Sequence, residues 1–160
     1  MQRRSFLTLG LVGTAGLVLA GCGFQLRGLN TPSAPLSELA LAGTDSDLAR
    51  RVEQRLVAAG TRVHDGADRI LNLGRPDIRQ RRVSVLESGP RDEEMRLVAP
   101  FSVQRADGAY LLDQQRLEVT RRYSVDDGDL LGREERRDTV REELLEEAAR
   151  QLIERLRSLS

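Results

Sequence analysis

The most constraining feature of this 160-residue sequence is a pair of long alternating segments on either side of Asp107 and Gly108. An Asp-Gly pair tolerates the positive φ angles of a tight hairpin turn. The segment before it alternates apolar residues on one face: Met95, Leu97, Ala99, Phe101 and Val103. The segment after it, residues 109–125, does the same with Leu117, Val119, Tyr123 and Val125. The pattern predicts a long antiparallel hairpin, with a bend in the second strand near residues 113–115.

Two amphipathic helices are predicted outside this hairpin. The first follows a turn at residues 43–46 and stops at Gly60, and its apolar positions are Leu48, Val52, Leu56 and Ala59. The second runs from about residue 131 to residue 159, with Val140, Leu144, Ala148, Leu152 and Leu156 recurring every four positions. Its start stays open between Asp129 and a capping box at Thr139 and Glu142. The charged sides of both helices are interpreted as solvated faces.

Shorter strands are predicted between the first helix and the hairpin. Residues 36–42 precede the helix as a first strand, and residues 61–64 begin another before a turn. Residues 69–73 form a strand that Gly74 and Pro76 interrupt, and residues 79–86 resume it. Arg91 to Glu94 are assigned to the loop that follows.

These elements predict an α+β fold with the order β-α-β-β-β-α. We expect a two-layer sandwich of a mostly antiparallel four-stranded sheet with two helices on one face. Residues 36–160 are expected to form a single domain.

The N-terminus has the three-part pattern of an export signal. A basic start with Arg3 and Arg4 precedes an uncharged apolar run over residues 6–20, which is too short to span a bilayer. The sequence Leu19-Ala20-Gly21-Cys22 resembles the lipobox of bacterial lipoproteins. The resemblance implies a signal peptide over residues 1–21, lipid attachment at Cys22 and a lipidated tether over residues 22–35. The residue after the cysteine is not aspartate, which implies the periplasmic side of the outer membrane. The route, general or twin-arginine, stays open.

The charged residues exclude several classes of function. Every basic residue is arginine, and removal of Arg3 and Arg4 leaves a net charge near −2, which argues against a nucleic-acid partner. His64 is the single histidine, so a shared metal site is not expected. No phosphate-binding glycine loop and no serine-histidine motif occur. We therefore predict no enzyme, no catalytic residues, no metal and no cofactor.

Clusters of arginine are the remaining candidates for a functional site. Arg133, Arg136 and Arg137 lie near the start of the last helix, Arg121 and Arg122 lie on the long strand, and Arg91 lies in the predicted loop. Interleaved carboxylates favour a solvated surface for each. The alternative is that some of them bind phosphate on a lipid head group, where a guanidinium contacts two oxygens at once.

The residues from Cys22 to Gly28, Cys-Gly-Phe-Gln-Leu-Arg-Gly, resemble the mature start of the LPS-assembly lipoprotein family LptE. The run over residues 146–156 is similar to the terminal helix of that family, and the resemblance covers nearly all of residues 22–160. It implies a non-enzymatic partner of the outer-membrane barrel LptD, which plugs the barrel, supports its assembly and binds lipopolysaccharide on its way to the outer leaflet. By the same resemblance Arg133, Arg91 and Arg136 are the candidate lipopolysaccharide-binding residues. The alternative is a generic envelope lipoprotein, such as a secretin pilotin or an auxiliary of an ABC-type lipid importer.

Lipid attachment gives the first testable prediction. Replacing Cys22 with alanine should abolish palmitate incorporation, because the lipobox cysteine provides the sulfur and the new amino group that are acylated. Metabolic labelling followed by immunoprecipitation measures this. The chain contains no other cysteine. Label retained in the Cys22→Ala protein would therefore contradict the assignment.

Overall fold

Alternating and helical patterns of the sequence become six strands and two helices in the residues that the structure describes. The structure is a computed structural model, and it describes residues 36–83, 91–126 and 128–159. The elements are β1 (Glu38–Gly43), α1 (Asp47–Ala58), β2 (Arg62–Val63), β3 (Arg69–Leu73), β4 (Asp77–Arg82), β5 (Arg91–Arg105), β6 (Tyr110–Val125) and α2 (Leu130–Arg157). The predicted signal peptide and tether lie outside the described residues.

The predicted hairpin is confirmed as β5 and β6. Its turn is closed by a hydrogen bond from the Arg105 N–H to the Ala109 carbonyl at 2.9 Å, and Gly108 has a φ of +90°. The apolar faces of both strands are buried. The pairing register shifts opposite residues 110–115 of β6, so the predicted bend is a β-bulge.

The sheet differs from the prediction in size and in direction. It is six-stranded and mixed: β2, β1, β3 and β5 are neighbours in that order, β4 pairs with β5 on the same edge as β3, and β6 pairs with the other edge of β5. The α+β class with two helices is confirmed, whereas the predicted number of four strands is wrong: five strands, not three, lie between the two helices in the sequence, and two of the strand pairings are parallel. Strand β1 runs parallel to both β2 and β3. The crossover through α1 permits this parallel pairing, and alternation within a single segment does not reveal it.

The predicted interruption at Gly74 and Pro76 is confirmed and has a clear role. Strands β3 and β4 occupy the same edge of β5, one after the other, and the break separates them. The Gly74 N–H donates to the Pro100 carbonyl at 2.8 Å, and a Cβ at position 74 would collide with the Pro100 ring. Glycine thus lets the chain pass close to β5 between two strands.

Both helices begin at capping residues. The Ser46 hydroxyl accepts from the Ala49 N–H at 3.2 Å, and the Asp129 carboxylate accepts from the Gly132 N–H at 2.9 Å. Asp129 is therefore the N-cap of α2, whose first helical residue is Leu130. The alternative capping box is wrong, since the Thr139 hydroxyl donates within the helix to the Glu135 carbonyl at 2.8 Å.

The helices and the inward face of the sheet enclose one core. Helix α2 packs on β5, β6 and α1. Its buried stripe consists of Val140, Leu144, Leu145, Ala148, Ala149, Leu152, Ile153 and Leu156. No helix in the described ranges is both long and apolar enough to cross a membrane.

The helix faces that were predicted to be solvated are partly joined by ion pairs. Arg51 contacts Glu142 and Glu146, the latter at 3.4 Å, and Arg55 contacts Glu146. These pairs connect α1 to α2 at the rim of the core. The interpretation of both faces as purely solvated was wrong because it considered each helix alone.

Candidate functional site

The candidate arginines gather where the start of α2 meets the start of β5. Arg137 donates to Glu93 at 3.3 Å, and this contact joins the second turn of the helix to the third residue of the strand. Arg133 lies one turn before Arg137 on the same side of the helix, and Arg91 lies two residues before Glu93 on the same face of the sheet. The structure therefore brings Arg91 and Arg133 to the same end of the sheet.

We call this group the arginine end; its members are Arg91, Arg133, Arg136 and Arg137. Arg91 is the first residue of β5 and pairs with Val125, the last residue of β6. Its predicted place in a loop is therefore wrong. Arg91 and Arg133 are half-buried, whereas Arg136 is exposed. The three predicted candidates share one end of the molecule but differ in their access to solvent.

Glu93 is a buried carboxylate that organises the arginine end. It is 7% exposed, and it accepts hydrogen bonds from the Tyr123 hydroxyl at 2.9 Å and from the side chains of Gln80 and Arg137. Burial alone would raise the pKa of Glu93. The hydrogen bonds from Tyr123, Arg137 and Gln80 outweigh it and hold the pKa below its usual value of 4.5. Glu93 is therefore ionised at neutral pH and fixes the position of Arg137.

The same contacts act on Tyr123. Burial first, and then the hydrogen bond and charge of Glu93, raise the pKa of Tyr123 to about 12. The phenol consequently stays protonated and donates to the carboxylate at any physiological pH. Sequence reasoning missed Glu93, Tyr123 and Gln80 as a unit, because they lie on three different strands.

A second carboxylate organises the opposite face of the sheet. Glu94 is 5% exposed and accepts from Arg81 Nε at 2.7 Å and from Arg122 Nε at 3.2 Å. The hydrogen bond from Arg81 is the main reason that the pKa of Glu94 is lowered. Neighbouring residues of a strand point to opposite faces of the sheet. Glu93 therefore lies on the face that packs against the helices, and Glu94 lies on the other face.

The predicted pair of Arg121 and Arg122 does not form one patch. Arg122 contacts Glu94 on the face away from the helices, whereas Arg121 lies 3.9 Å from Glu147 of α2. They are on opposite faces of β6, as strand alternation requires. The two arginines therefore do not form a joint extension of the arginine end.

The arginine end groups several guanidinium side chains, of which Arg137 is held by the buried Glu93. Guanidinium groups held by buried carboxylates keep their charge and have little freedom, and arginine contacts phosphate through two parallel hydrogen bonds. Among the described residues no group of three histidine, cysteine or acidic side chains is placed to hold a metal ion. His64 is exposed, with Nε2 3.4 Å from a Glu38 oxygen.

Solved structures share this fold. Lipoprotein B from Nitrosomonas europaea aligns with a TM-score of 0.68 at 18% identity, over 82% of this chain and 88% of its own. A minor lipoprotein from Acinetobacter baumannii aligns with a TM-score of 0.65 at 15% identity, over 76% of this chain and 91% of its own. This chain thus shares its fold with these two proteins.

Sequence relatives define the family. The profile of LptE, described as lipopolysaccharide-assembly, matches residues 27–156. The LPS-assembly lipoprotein LptE of Photorhabdus laumondii subsp. laumondii is 34% identical over 97% of this chain and 87% of its own length. That of Yersinia pestis is 31% identical over 97% of this chain and 77% of its own. The chain belongs to the LptE family of lipopolysaccharide-assembly lipoproteins, and the resemblance inferred from the sequence is confirmed.

The buried carboxylate gives a prediction about stability and pH. Glu93→Gln should lower the free energy of unfolding at neutral pH by about 1.5–3 kcal/mol, the usual contribution of a hydrogen bond to a charged group. Because folding lowers the pKa of Glu93, its contribution is complete above pH 4.5 and is lost as the pH falls through the folded-state pKa. The difference between wild type and variant should therefore shrink below about pH 4.5.

Urea unfolding followed by circular dichroism at a series of pH values measures this difference. Glu143→Gln is the matched control, because Glu143 is exposed on α2. A difference between wild type and Glu93→Gln that is constant from neutral to acidic pH would contradict the role assigned to the Glu93 charge.

Proposed function

We propose that this protein is the lipoprotein subunit of an outer-membrane lipopolysaccharide translocon. In this role it plugs the LptD barrel, supports the assembly of the barrel and binds lipopolysaccharide for delivery to the outer leaflet. The observation that carries the proposal is membership of the LptE family across residues 27–156, together with an arginine end built into that fold. The role is that of a binding and assembly factor, in keeping with a non-enzymatic lipoprotein family.

The outer face of the sheet supports the role of a plug. Strands β4, β5 and β6 expose ion pairs on the side away from the helices, such as Arg79 with Asp77 at 2.8 Å and Arg96 with Glu118 at 2.7 Å. Along β5 and β6 these residues alternate with buried core residues, and on β4 the half-buried Ile78 lies between Asp77 and Arg79. A charged and ion-paired face suits the polar interior of a large membrane barrel.

The arginine end supports the binding of lipopolysaccharide. The lipid anchor region of lipopolysaccharide carries phosphate groups. The residues proposed to contact these phosphates are Arg133, Arg91 and Arg136. Arg137 is held by Glu93 at 3.3 Å, so its proposed part is to fix the start of α2 rather than to reach the ligand.

The N-terminal sequence supports a proposal for the place of the protein in the cell. We propose that residues 1–21 are removed, that Cys22 is acylated, and that residues 22–35 tether the domain at residues 36–160 to the periplasmic side of the outer membrane. Several acyl chains on one residue make such an anchor nearly permanent.

Association with the barrel is the primary prediction. The full-length lipidated protein, purified from detergent-solubilised envelopes, should bring down an LptD barrel in a stable complex. Mass spectrometry of the purified material identifies the partner. Recovery of a secretin or of an ABC-type lipid importer in place of the barrel would reject the proposal in favour of the generic lipoprotein.

Charge reversal at Arg133 tests the lipid-binding role. Arg133→Glu should weaken lipopolysaccharide binding in vitro by at least about tenfold, because a charged hydrogen bond to phosphate is replaced by repulsion. Association with the barrel should persist. Equilibrium binding of labelled lipopolysaccharide and a pull-down of the barrel measure the two properties.

Arg105→Glu is the matched control, because Arg105 is exposed at the opposite end of β5. Lipopolysaccharide affinity that is unchanged in Arg133→Glu, or reduced equally in Arg105→Glu, would remove Arg133 from the site.

A further inference from the structure

The outer face of the sheet contains a depression with an excess of positive charge. Its volume is about 420 Å³. It lies on the outer face because two of its lining residues, Val98 and Pro100, alternate with core residues of β5. The charged side chains that line it are four arginines and two carboxylates, namely Arg75, Arg79, Arg96, Arg116, Asp77 and Glu118.

Two of these four arginines are neutralised by the two carboxylates. Arg79 contacts Asp77 at 2.8 Å, and Arg96 contacts Glu118 at 2.7 Å. Each carboxylate thus has one guanidinium partner in the depression. The charge that is left over comes from the remaining two arginines.

Arg75 and Arg116 are exposed, and no carboxylate of the described residues contacts either of them. They lie on either side of Pro100. Arg116 is the partner of Pro100 on β6, and Arg75 follows Gly74, whose N–H donates to the Pro100 carbonyl at 2.8 Å. Neighbouring strands are about 4.8 Å apart, so the backbones of the two arginines are separated by about 10 Å. Two guanidinium groups can therefore approach one anionic group from opposite sides of Pro100.

The helices do not share this excess of positive charge. Helix α1 carries three basic and two acidic side chains, and α2 carries seven and eight, so the two helices together are neutral. The whole chain likewise has 25 basic and 25 acidic residues. The depression is therefore a local concentration of charge, and such a patch favours a partner of the opposite charge.

The two carboxylates of the depression distinguish between two kinds of anionic partner. A lipid surface presents many phosphates, and Asp77 and Glu118 would repel them. The apolar side chains that line the depression, Val98 and Pro100, are half-buried and do not project to insert among acyl chains. A protein wall offers single acidic side chains among neutral ones, and one sheet packs face to face on another. The depression therefore fits an acidic protein surface better than it fits a membrane.

We infer that Arg75 and Arg116 form a clamp for an acidic side chain on the inner wall of the barrel, so that the outer face of the sheet docks against that wall. The inference rests on the proposed function, and it adds which face of the protein meets the wall and which charge it recognises there. The side chains that line the interior of a membrane barrel are polar. A carboxylate among them can accept hydrogen bonds from both guanidinium groups at once.

The absence of lysine from the sequence makes a site-specific test possible. Arg75→Lys and Arg116→Lys keep the positive charge, and each variant gains a single side-chain amine. A carbodiimide joins an amine only to a carboxylate in direct contact with it. The full-length lipidated variants are purified with the co-expressed LptD barrel and treated with carbodiimide. Peptide mass spectrometry should find the introduced lysine of each variant joined to an aspartate or glutamate of the barrel.

Arg105→Lys is the matched control, because Arg105 is exposed at the end of β5 and also has no carboxylate contact among the described residues. The yield of its cross-link to the barrel should be at least about tenfold lower, since a single rim charge contributes little to such a contact.

Charge reversal measures how much the clamp contributes to docking. The double variant Arg75→Glu, Arg116→Glu is co-expressed with differently tagged wild type, and the two compete for the barrel. The double variant should be recovered with the barrel about tenfold less than wild type, because repulsion replaces attraction at both positions. Arg105→Glu should compete as well as wild type. A thermal melt of each variant checks that the fold is kept.

The inference is overturned unless both introduced lysines are joined to carboxylates of the barrel. It is also overturned if the control at position 105 is joined as efficiently, or if the double variant competes as well as wild type. Weaker binding of labelled lipopolysaccharide by the double variant, with the barrel retained, would overturn it in favour of a lipid anion. In all of these cases wild type still recovers the barrel and the proposed function stands, whereas wild type without a barrel rejects both.

Discussion

The rest of the structure depends on strand β5. Both of its edges pair with other strands, one of its faces packs in the core and the other carries ion pairs. One edge pairs with β6 along almost its whole length. The other edge pairs first with β4 and then with β3, and β3 carries the parallel strands β1 and β2. A change in the register of β5 by one residue would exchange its core residues for its charged ones and move every other strand.

The two glutamates near the start of β5 show how this strand links packing to function. Burial of an ionised carboxylate is unfavourable unless donors replace the lost water. Glu93 accepts hydrogen bonds from Tyr123, Gln80 and Arg137. Glu94 accepts hydrogen bonds from Arg81 and Arg122. Glu93 thereby joins the sheet to α2 and sets the position of the helix turn that carries the arginines. The arginine end is therefore an extension of the packing rather than a loose surface.

The alternation of side chains along the strands also separates the apolar face of the sheet from its charged face. Alternation along β5 and β6 puts apolar side chains toward the helices, and the opposite face of β4, β5 and β6 carries ion-paired residues. The arginine end lies elsewhere, where the start of α2 meets the start of β5. The proposed role, in which the protein fills a polar barrel and binds lipopolysaccharide, would use the charged face and the arginine end as two separate surfaces of one small fold.

The sequence by itself determined the features that depend on neighbouring residues. The β5–β6 hairpin, the bend in its second strand, the break at Gly74, both helices and the family resemblance were all predictable, because periodicity, turn residues and caps act over a few positions. Only the tertiary structure decided that β1 pairs in parallel, that Arg91 begins a strand, and that α1 and α2 are joined by Arg51, Arg55, Glu142 and Glu146. It also decided that Glu93 is buried, because the burial of a charge and the choice of a strand partner depend on residues far apart in the chain. In a run of alternating charges, nothing local distinguishes a solvated glutamate from one that three distant side chains enclose.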